Sequence, residues 1–262
     1  MFGKRKFLAL TMILVLMLSL VLTSCGVKND DVFRVGMEVG YPPMEYTGED
    51  GKEVIGFDVD VAKEIGTRLG KKDFKIISTA WDGIFAALET DKFDCIISSC
   101  SINEQRQKEH SLTNAYVANK LVIVTSSSNT DIVSPETLTG KKVGVQSATT
   151  SSDFAKELNK DSKKFDFTPY DQVTQPFADL KAGRIDAIIV DIVVAGYYTS
   201  KDKESFKTSW ESPNSEPMAI CCQKKGTDLR DKINKILDEM QADGTMKTIS
   251  EKWFGTDITK NL

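Results

Sequence analysis

Beyond residue 30 the chain alternates short runs of β-branched and aromatic residues with longer amphipathic stretches, the pattern of strands and helices in an α/β protein. Phe33 to Val39 reads as a strand, and Tyr41-Pro42-Pro43 turns the chain. A helix over 56–69 follows, because Phe57, Val61, Ile65 and Leu69 recur every four residues as one apolar stripe. Asp58 and Asp60 suit its first turn, where carboxylates meet the positive end of the helix dipole, and Gly70 is placed to end it. Leu121 to Thr125 and Met218 to Cys222 are further apolar strands, the first followed by a polar stretch from Ser126 to Ser134. Near the C-terminus Leu229, Ile233, Ile236, Leu237 and Met240 make a helical stripe closed by Gly244, and a short segment with Ile249, Trp253 and Phe254 follows.

Part of this pattern occurs twice. Phe85-Ala86, Leu88, Asp94 and Ile96-Ile97 return at the same relative spacing as Phe177-Ala178, Leu180, Asp186 and Ile188-Ile189. Upstream of each copy lies a strand with a Val-Gly step, Val35-Gly36 and Val143-Gly144. Each copy reads as helix, tight turn and buried strand. Two related lobes explain both pairs, with lobe 1 built from 32–120 and 216–262 and lobe 2 from 121–215. The chain then crosses between lobes twice, which predicts a two-strand hinge, with the final helices packed back on lobe 1.

The N-terminus bears on compartment. Lys4, Arg5 and Lys6 precede an apolar run from Phe7 to Leu22, and the run ends in Leu22-Thr23-Ser24-Cys25-Gly26. An apolar residue, two small residues and a cysteine resemble the bacterial lipobox, in which the thiol is acylated and becomes the mature N-terminus. The expectation is a signal peptide over 1–24, a lipid anchor on Cys25 and a tether over 25–31. An uncleaved transmembrane anchor with an incidental cysteine is the plainer alternative. Each buried methylene adds roughly 0.8 kcal/mol of membrane affinity, so two or more acyl chains hold a protein stably. The first 24 residues hold three basic and no acidic residues, so the remainder is more acidic than the formal −4 of the whole chain. That balance disfavours nucleic acid as a partner. Cys95, Cys100, Cys221 and Cys222 do not have zinc-site spacing, and the lone histidine, His110, adds little to a metal reading. Whether these thiols pair or remain buried and free stays open. No cofactor is expected.

In open α/β sheets ligands bind beyond the carboxyl ends of the strands. That rule collects Glu38 and Tyr41 after the first strand, and Ser98, Ser99, Ser101 and Arg106 after the strand ending at Ile97. From the second half it collects Gln146, Thr149, Thr150 and Ser151 after Val143–Val145, and Asp191 after Ile189. Arg106 offers a planar fork suited to a carboxylate. Thr150 and its neighbours open a helix, where free N–H groups favour an anion. Asp191 matches an ammonium, and Tyr41 and Trp81 are flat surfaces for a side chain. One carboxylate and one ammonium a bond or two apart describe the head of an α-amino acid. Each residue also has a bland reading: Arg106 in a solvated charged stretch, Asp191 and Thr149 as helix caps, Trp81 as core.

At these positions the sequence resembles the polar amino-acid-binding proteins of ABC transporters, of the lysine/arginine/ornithine-, histidine- and glutamine-binding type. The matching segments are Arg34-Val-Gly-Met-Glu-Val-Gly-Tyr-Pro-Pro43, Gly56-Phe-Asp-Val-Asp-Val61, Trp81-Asp-Gly83, Ser98-Ser-Cys-Ser-Ile-Asn-Glu-Gln-Arg106, Gly140-Lys-Lys-Val-Gly-Val145, Gly183-Arg-Ile-Asp186 and Ala242-Asp-Gly-Thr245 with Glu251-Lys-Trp-Phe254. They span nearly the whole mature chain, each weak alone and specific together. The resemblance implies a periplasmic-binding-protein-like type II fold, two α/β lobes on a two-strand hinge that close on a free L-amino acid. It implies Arg106, Thr150 and Ser101 on the ligand carboxylate, Asp191 and Ser99 on the ammonium, and Glu38, Tyr41, Trp81 and Ser98 around the side chain. Glu38 leans the preference towards a cation such as arginine or lysine, with glutamine and cystine left open. It further implies a monomer at the outer face of a bacterial membrane, delivering to an ABC permease with its ATPase. Met44 stands where an aromatic residue is usual, Asn114-Ala115 replaces Asp-Pro, and Ser147-Ala148 occupies a loop where glycine is frequent. The alternatives on the same fold are a cyclohexadienyl-dehydratase-like enzyme and a ligand sensor.

Overall fold

A computed structural model describes residues 31–162 and 164–260. Cys25 and the apolar leader lie outside the described residues. In chain order the strands are β1 (Val32–Met37), β2 (Tyr46–Thr47), β3 (Val54–Ile55), β4 (Asp73–Ser78), β5 (Cys95–Ile96), β6 (Ser111–Val117), β7 (Leu121–Ser126), β8 (Lys142–Gln146), β9 (Asp166–Tyr170), β10 (Ala187–Asp191), β11 (Phe206–Glu211) and β12 (Met218–Cys222).

Two five-stranded sheets share one plan, β4-β1-β5-β12-β6 in the first and β9-β8-β10-β7-β11 in the second. In each, two parallel pairings are followed by two antiparallel ones, so that only the fourth strand runs against the others. The chain passes from the first sheet to the second after β6 and returns after β11. The two passages run side by side, with Ser212 N donating to Leu121 O at 2.8 Å and Glu216 N to Asn119 O at 2.8 Å. This is the two-lobed architecture with a two-strand connection.

The internal repeat has a physical basis. Arg34 N donates to Asp94 Oδ2 at 2.9 Å while Asp94 N donates back to Arg34 O at 2.9 Å. In the second sheet Lys142 N donates to Asp186 Oδ2 at 2.7 Å and Asp186 N returns to Lys142 O at 2.8 Å. The Val-Gly steps fit the same joint. A Cβ on Gly36 would overlap the Phe93 ring, and one on Gly144 would lie 2.7 Å from Ile185 Cδ1. Phe93 and Ile185 each precede the repeated aspartate, so glycine lets that residue lie flat across the strand.

The first predicted helix is Phe57–Arg68, with Phe57, Val61 and Ile65 buried and Gly70 in the left-handed region at φ 72. The first strand stops two residues earlier than predicted, which frees Glu38 from the ladder. Asp58 lies in the first turn as expected and is in addition 0% exposed, accepting from Ser99 N at 2.8 Å and Tyr116 OH at 2.7 Å. Asp60 on the same turn accepts from Trp253 Nε1 at 2.7 Å and Lys252 Nζ at 2.6 Å. That contact, with the Phe57 and Phe254 rings 5.5 Å apart, packs helix Thr245–Phe254 against helix Phe57–Arg68. All four described cysteines are buried free thiols.

Candidate functional site

The carboxyl ends of the two sheets' parallel strands face one another across a cavity of about 290 Å³. Its wall contains Glu38, Tyr41, Trp81, Ser98, Ser99, Ser101 and Arg106 from the first lobe's side, and Gln146, Thr149, Thr150 and Asp191 from the second. Ser151, also expected there, is buried in the first turn of helix Thr150–Leu158 and does not line the cavity.

Arg106 shows why local charge was a poor guide. In Glu104–Glu109 its neighbours are exposed, whereas Arg106 is 8% exposed. Asn103 caps the helix by accepting from Arg106 N at 2.8 Å. Its guanidinium carbon sits 5.2 Å from the Trp81 ring centroid and 5.3 Å from that of Phe85, favourable cation–π distances. Nη1 donates to Ser101 O at 2.8 Å. A guanidinium has five N–H donors, so the fork retains capacity for a carboxylate in the cavity.

Asp191 ends β10 opposite this group. It is 5% exposed, accepting from Tyr41 OH at 2.5 Å through Oδ2 and from Asn119 Nδ2 at 2.8 Å through Oδ1. Burial raises its carboxyl above the ordinary value, while Tyr41, Asn119 and the charge of Arg106 pull the other way. Tyr41 is therefore a hydrogen-bond partner of the acid as well as a flat wall. Asn119, in the passage between the sheets, was not anticipated from the sequence.

Further bonds join the two sides. Gln146 Nε2 donates to Glu38 Oε1 at 2.6 Å, and Trp81 Nε1 donates to Ala148 O at 2.9 Å. Ala148 holds φ 57, a left-handed conformation that costs a side chain roughly 1–2 kcal/mol and explains why glycine suits this loop. Burial pushes the Glu38 carboxyl up to about 7, with the Gln146 bond opposing and Asp82 reinforcing the rise. Thr149 does act as a helix cap, since Oγ1 accepts from Ser152 N at 3.2 Å, and the same residue lines the cavity.

The surroundings of the cavity change one reading and add one residue. Met44 is fully buried in the main core and does not line the cavity, so the departure there alters packing and not the wall. Glu216, overlooked in the sequence, lies on the return passage beside the head-group residues. Its carboxyl hydrogen-bonds Thr150 and is pushed up to about 7 by burial and the nearby Asp191. His110 pairs with Glu89 at 3.1 Å, outside the cavity wall. Among the described residues no group of three or more His, Cys, Asp or Glu could hold a metal, and no helix is long and apolar enough to cross a membrane.

Two lobes of one plan, meeting at an internal cavity lined by opposed charges, define a solute-binding protein of the periplasmic type II architecture. The sequence profile of the bacterial extracellular solute-binding proteins, family 3, matches residues 33–256, and the chain belongs to that family. Among its relatives is the L-cystine-binding protein TcyJ of Escherichia coli, 32% identical over 235 residues, covering 89% of this chain and 86% of that protein. An ancestral arginine-binding protein solved with arginine superposes with a TM-score of 0.81 at 37% identity, over 86% of this chain and 99% of that one. AncCDT-1, an ancestral amino acid-binding protein and a precursor of cyclohexadienyl dehydratase, superposes with a TM-score of 0.80 at 31% identity, over 86% and 96% of the two chains.

Proposed function

We propose that this chain captures a free L-amino acid between its lobes, 32–120 with 216–262 and 121–215, and hands it to an ABC permease with its ATPase. The observation that carries the reading is the placement of Arg106 and Asp191, both buried, on the wall of one cavity from opposite sides. Two charges buried together are tolerable when each meets an opposite, hydrogen-bonded partner, which the head of an amino acid supplies. Arg106, Thr150 and Ser101 take its carboxylate, and Asp191 with Ser99 takes its ammonium. Glu38, Tyr41, Trp81 and Ser98 surround the side chain, with Gln146 and Thr149 completing the second lobe's wall.

Charge balance favours a cationic ligand. Arg106 against Asp191 and Glu38 leaves the wall one negative charge in excess, which arginine or lysine would neutralise. Glutamine or cystine would instead leave Glu38 protonated, a state its position near pH 7 makes accessible. Contacts spanning both lobes exist only when the lobes meet, so ligand binding favours that arrangement and the two-strand connection serves as the hinge. The protein acts as a monomer on the outer face of the membrane, held by acylated Cys25, and binds without turning its ligand over.

A thermal-shift screen against the common amino acids, ornithine and cystine tests the reading, because a ligand that binds only the folded state raises the melting temperature. Arginine and lysine should give the largest shifts. No shift with any amino acid, or turnover of prephenate or arogenate by the same preparation, would overturn it.

A further inference from the structure

Beneath the cavity lies an acid pair that the binding reading does not use. Glu45 is 1% exposed and Asp58 is 0% exposed, and their carboxyls are neighbours, placed to share one hydrogen bond. Such a bond needs a proton on one of them, and the surrounding donors say which. Asp58 accepts at both oxygens, from Tyr116 OH through Oδ1 at 2.7 Å and from Ser99 N through Oδ2 at 2.8 Å. Glu45 accepts once, at Oε1, from Ser98 Oγ at 2.5 Å. Its buried Oε2 receives no donor from the protein. An unsatisfied buried carboxylate oxygen is costly, whereas a protonated one facing Asp58 is a satisfied donor.

We propose that Glu45 and Asp58 hold a single proton, carried on Glu45 Oε2, and that this pair is the positioning device for the Ser98–Ser99 loop of the binding cavity. The pair sits at the end of a relay in which Glu38 N donates to Ser98 Oγ at 2.9 Å and Ser98 Oγ donates to Glu45. Asp58 meanwhile fixes Ser99, which holds φ 50 without being glycine. One pair therefore anchors Glu38, Ser98 and Ser99 from behind. The charged and titratable groups facing it are Glu38, Tyr41, Tyr116 and Cys100. Burial and the charge of Asp58 hold the Glu45 carboxyl well above the usual carboxylate range, in accord with the donor count. The consequence for affinity rests on the amino-acid-binding reading; the proton assignment does not.

Glu45→Gln mimics a neutral acid, donating to Asp58 and accepting from Ser98, while Glu45→Ala removes both bonds. Asp58→Asn turns an amide towards donors. Calorimetry with arginine should give at least tenfold weaker binding for Glu45→Ala and Asp58→Asn, with Glu45→Gln restoring affinity to within about threefold of the parent. Denaturant unfolding at pH 5 to 8 supplies the readout that packing alone would not move. A proton held in the folded state and absent from the unfolded one makes stability fall as pH rises above the ordinary glutamate value. The parent's unfolding constant should therefore rise up to about tenfold more per pH unit than that of Glu45→Gln. Glu38 and Asp191 remain in both proteins, so the difference isolates Glu45. Parallel pH profiles, or Asp58→Asn outperforming Glu45→Gln in stability and affinity, would overturn the assignment; equal binding by Glu45→Ala would overturn the positioning role. Should Glu45→Ala fail to fold, the other two variants still decide. A parent that binds no amino acid would sink the ligand reading alone, since the unfolding comparison judges the pair without ligand.

Discussion

Glu38 offers the sharpest test of ligand class. It is 5% exposed at the cavity wall, and burial pushes its carboxyl up to about 7, so near neutrality the group is about half protonated. A cationic side chain beside it requires the carboxylate, and binding must then release whatever proton Glu38 holds. At 1.36 kcal/mol per unit, ionising the group costs about 0.4 kcal/mol at pH 7, a factor of about two, and about 2.7 kcal/mol at pH 5, roughly a hundredfold. Affinity for arginine or lysine should accordingly fall as pH drops from 7 to 5 and level off above about pH 8. Neutral glutamine needs no such ionisation. Asp191 meets the ammonium of either ligand, so its own titration affects both alike and the difference between them reports Glu38. In Glu38→Gln an acceptor for Gln146 Nε2 remains, but the titration is gone. Arginine should then bind with no slope attributable to this position and, at pH 8, about 2–5 kcal/mol more weakly, while glutamine is little changed. Titration calorimetry from pH 5 to 8, in two buffers of different ionisation enthalpy, measures affinity and proton release together. Equal pH slopes for arginine and glutamine in the parent would refute the assignment of Glu38 to the ligand's side chain.

Arg106→Ala should weaken every amino acid, whatever its side chain, by about 3–5 kcal/mol, since it leaves the ligand carboxylate buried without its partner; calorimetry that finds normal binding would move the site elsewhere. Gly36→Ala drives a methyl into the Phe93 ring and should lower stability by about 1–3 kcal/mol in denaturant unfolding, with cavity chemistry untouched. Cys25→Ser should release the protein from membranes into the soluble fraction and abolish fatty-acid labelling; retention on membranes would instead favour an uncleaved apolar anchor.

Why the cavity wall was legible while its foundation was not follows from what each needs. The Val-Gly strands and the helix–turn–aspartate repeats are set by local geometry: a backbone N–H that needs Asp94 or Asp186, and a neighbour that needs glycine beneath it. Local rules leave local traces, and once both repeats are seen, the strand-end rule points to the side chains that converge. Arg106 needed that rule, because its sequence neighbourhood is that of a solvated helix and only its position relative to β5 marks it. Asp58 carries no such mark. A carboxylate in the first turn of a helix has the same pattern whether it faces water or is buried against Ser99 and Tyr116, and the partners that distinguish the two cases are 41 and 58 residues away. Glu45 and Glu216 escape for the same reason. The apolar and glycine positions therefore encode where the cavity lies, whereas the acids behind it are brought together only by the completed fold.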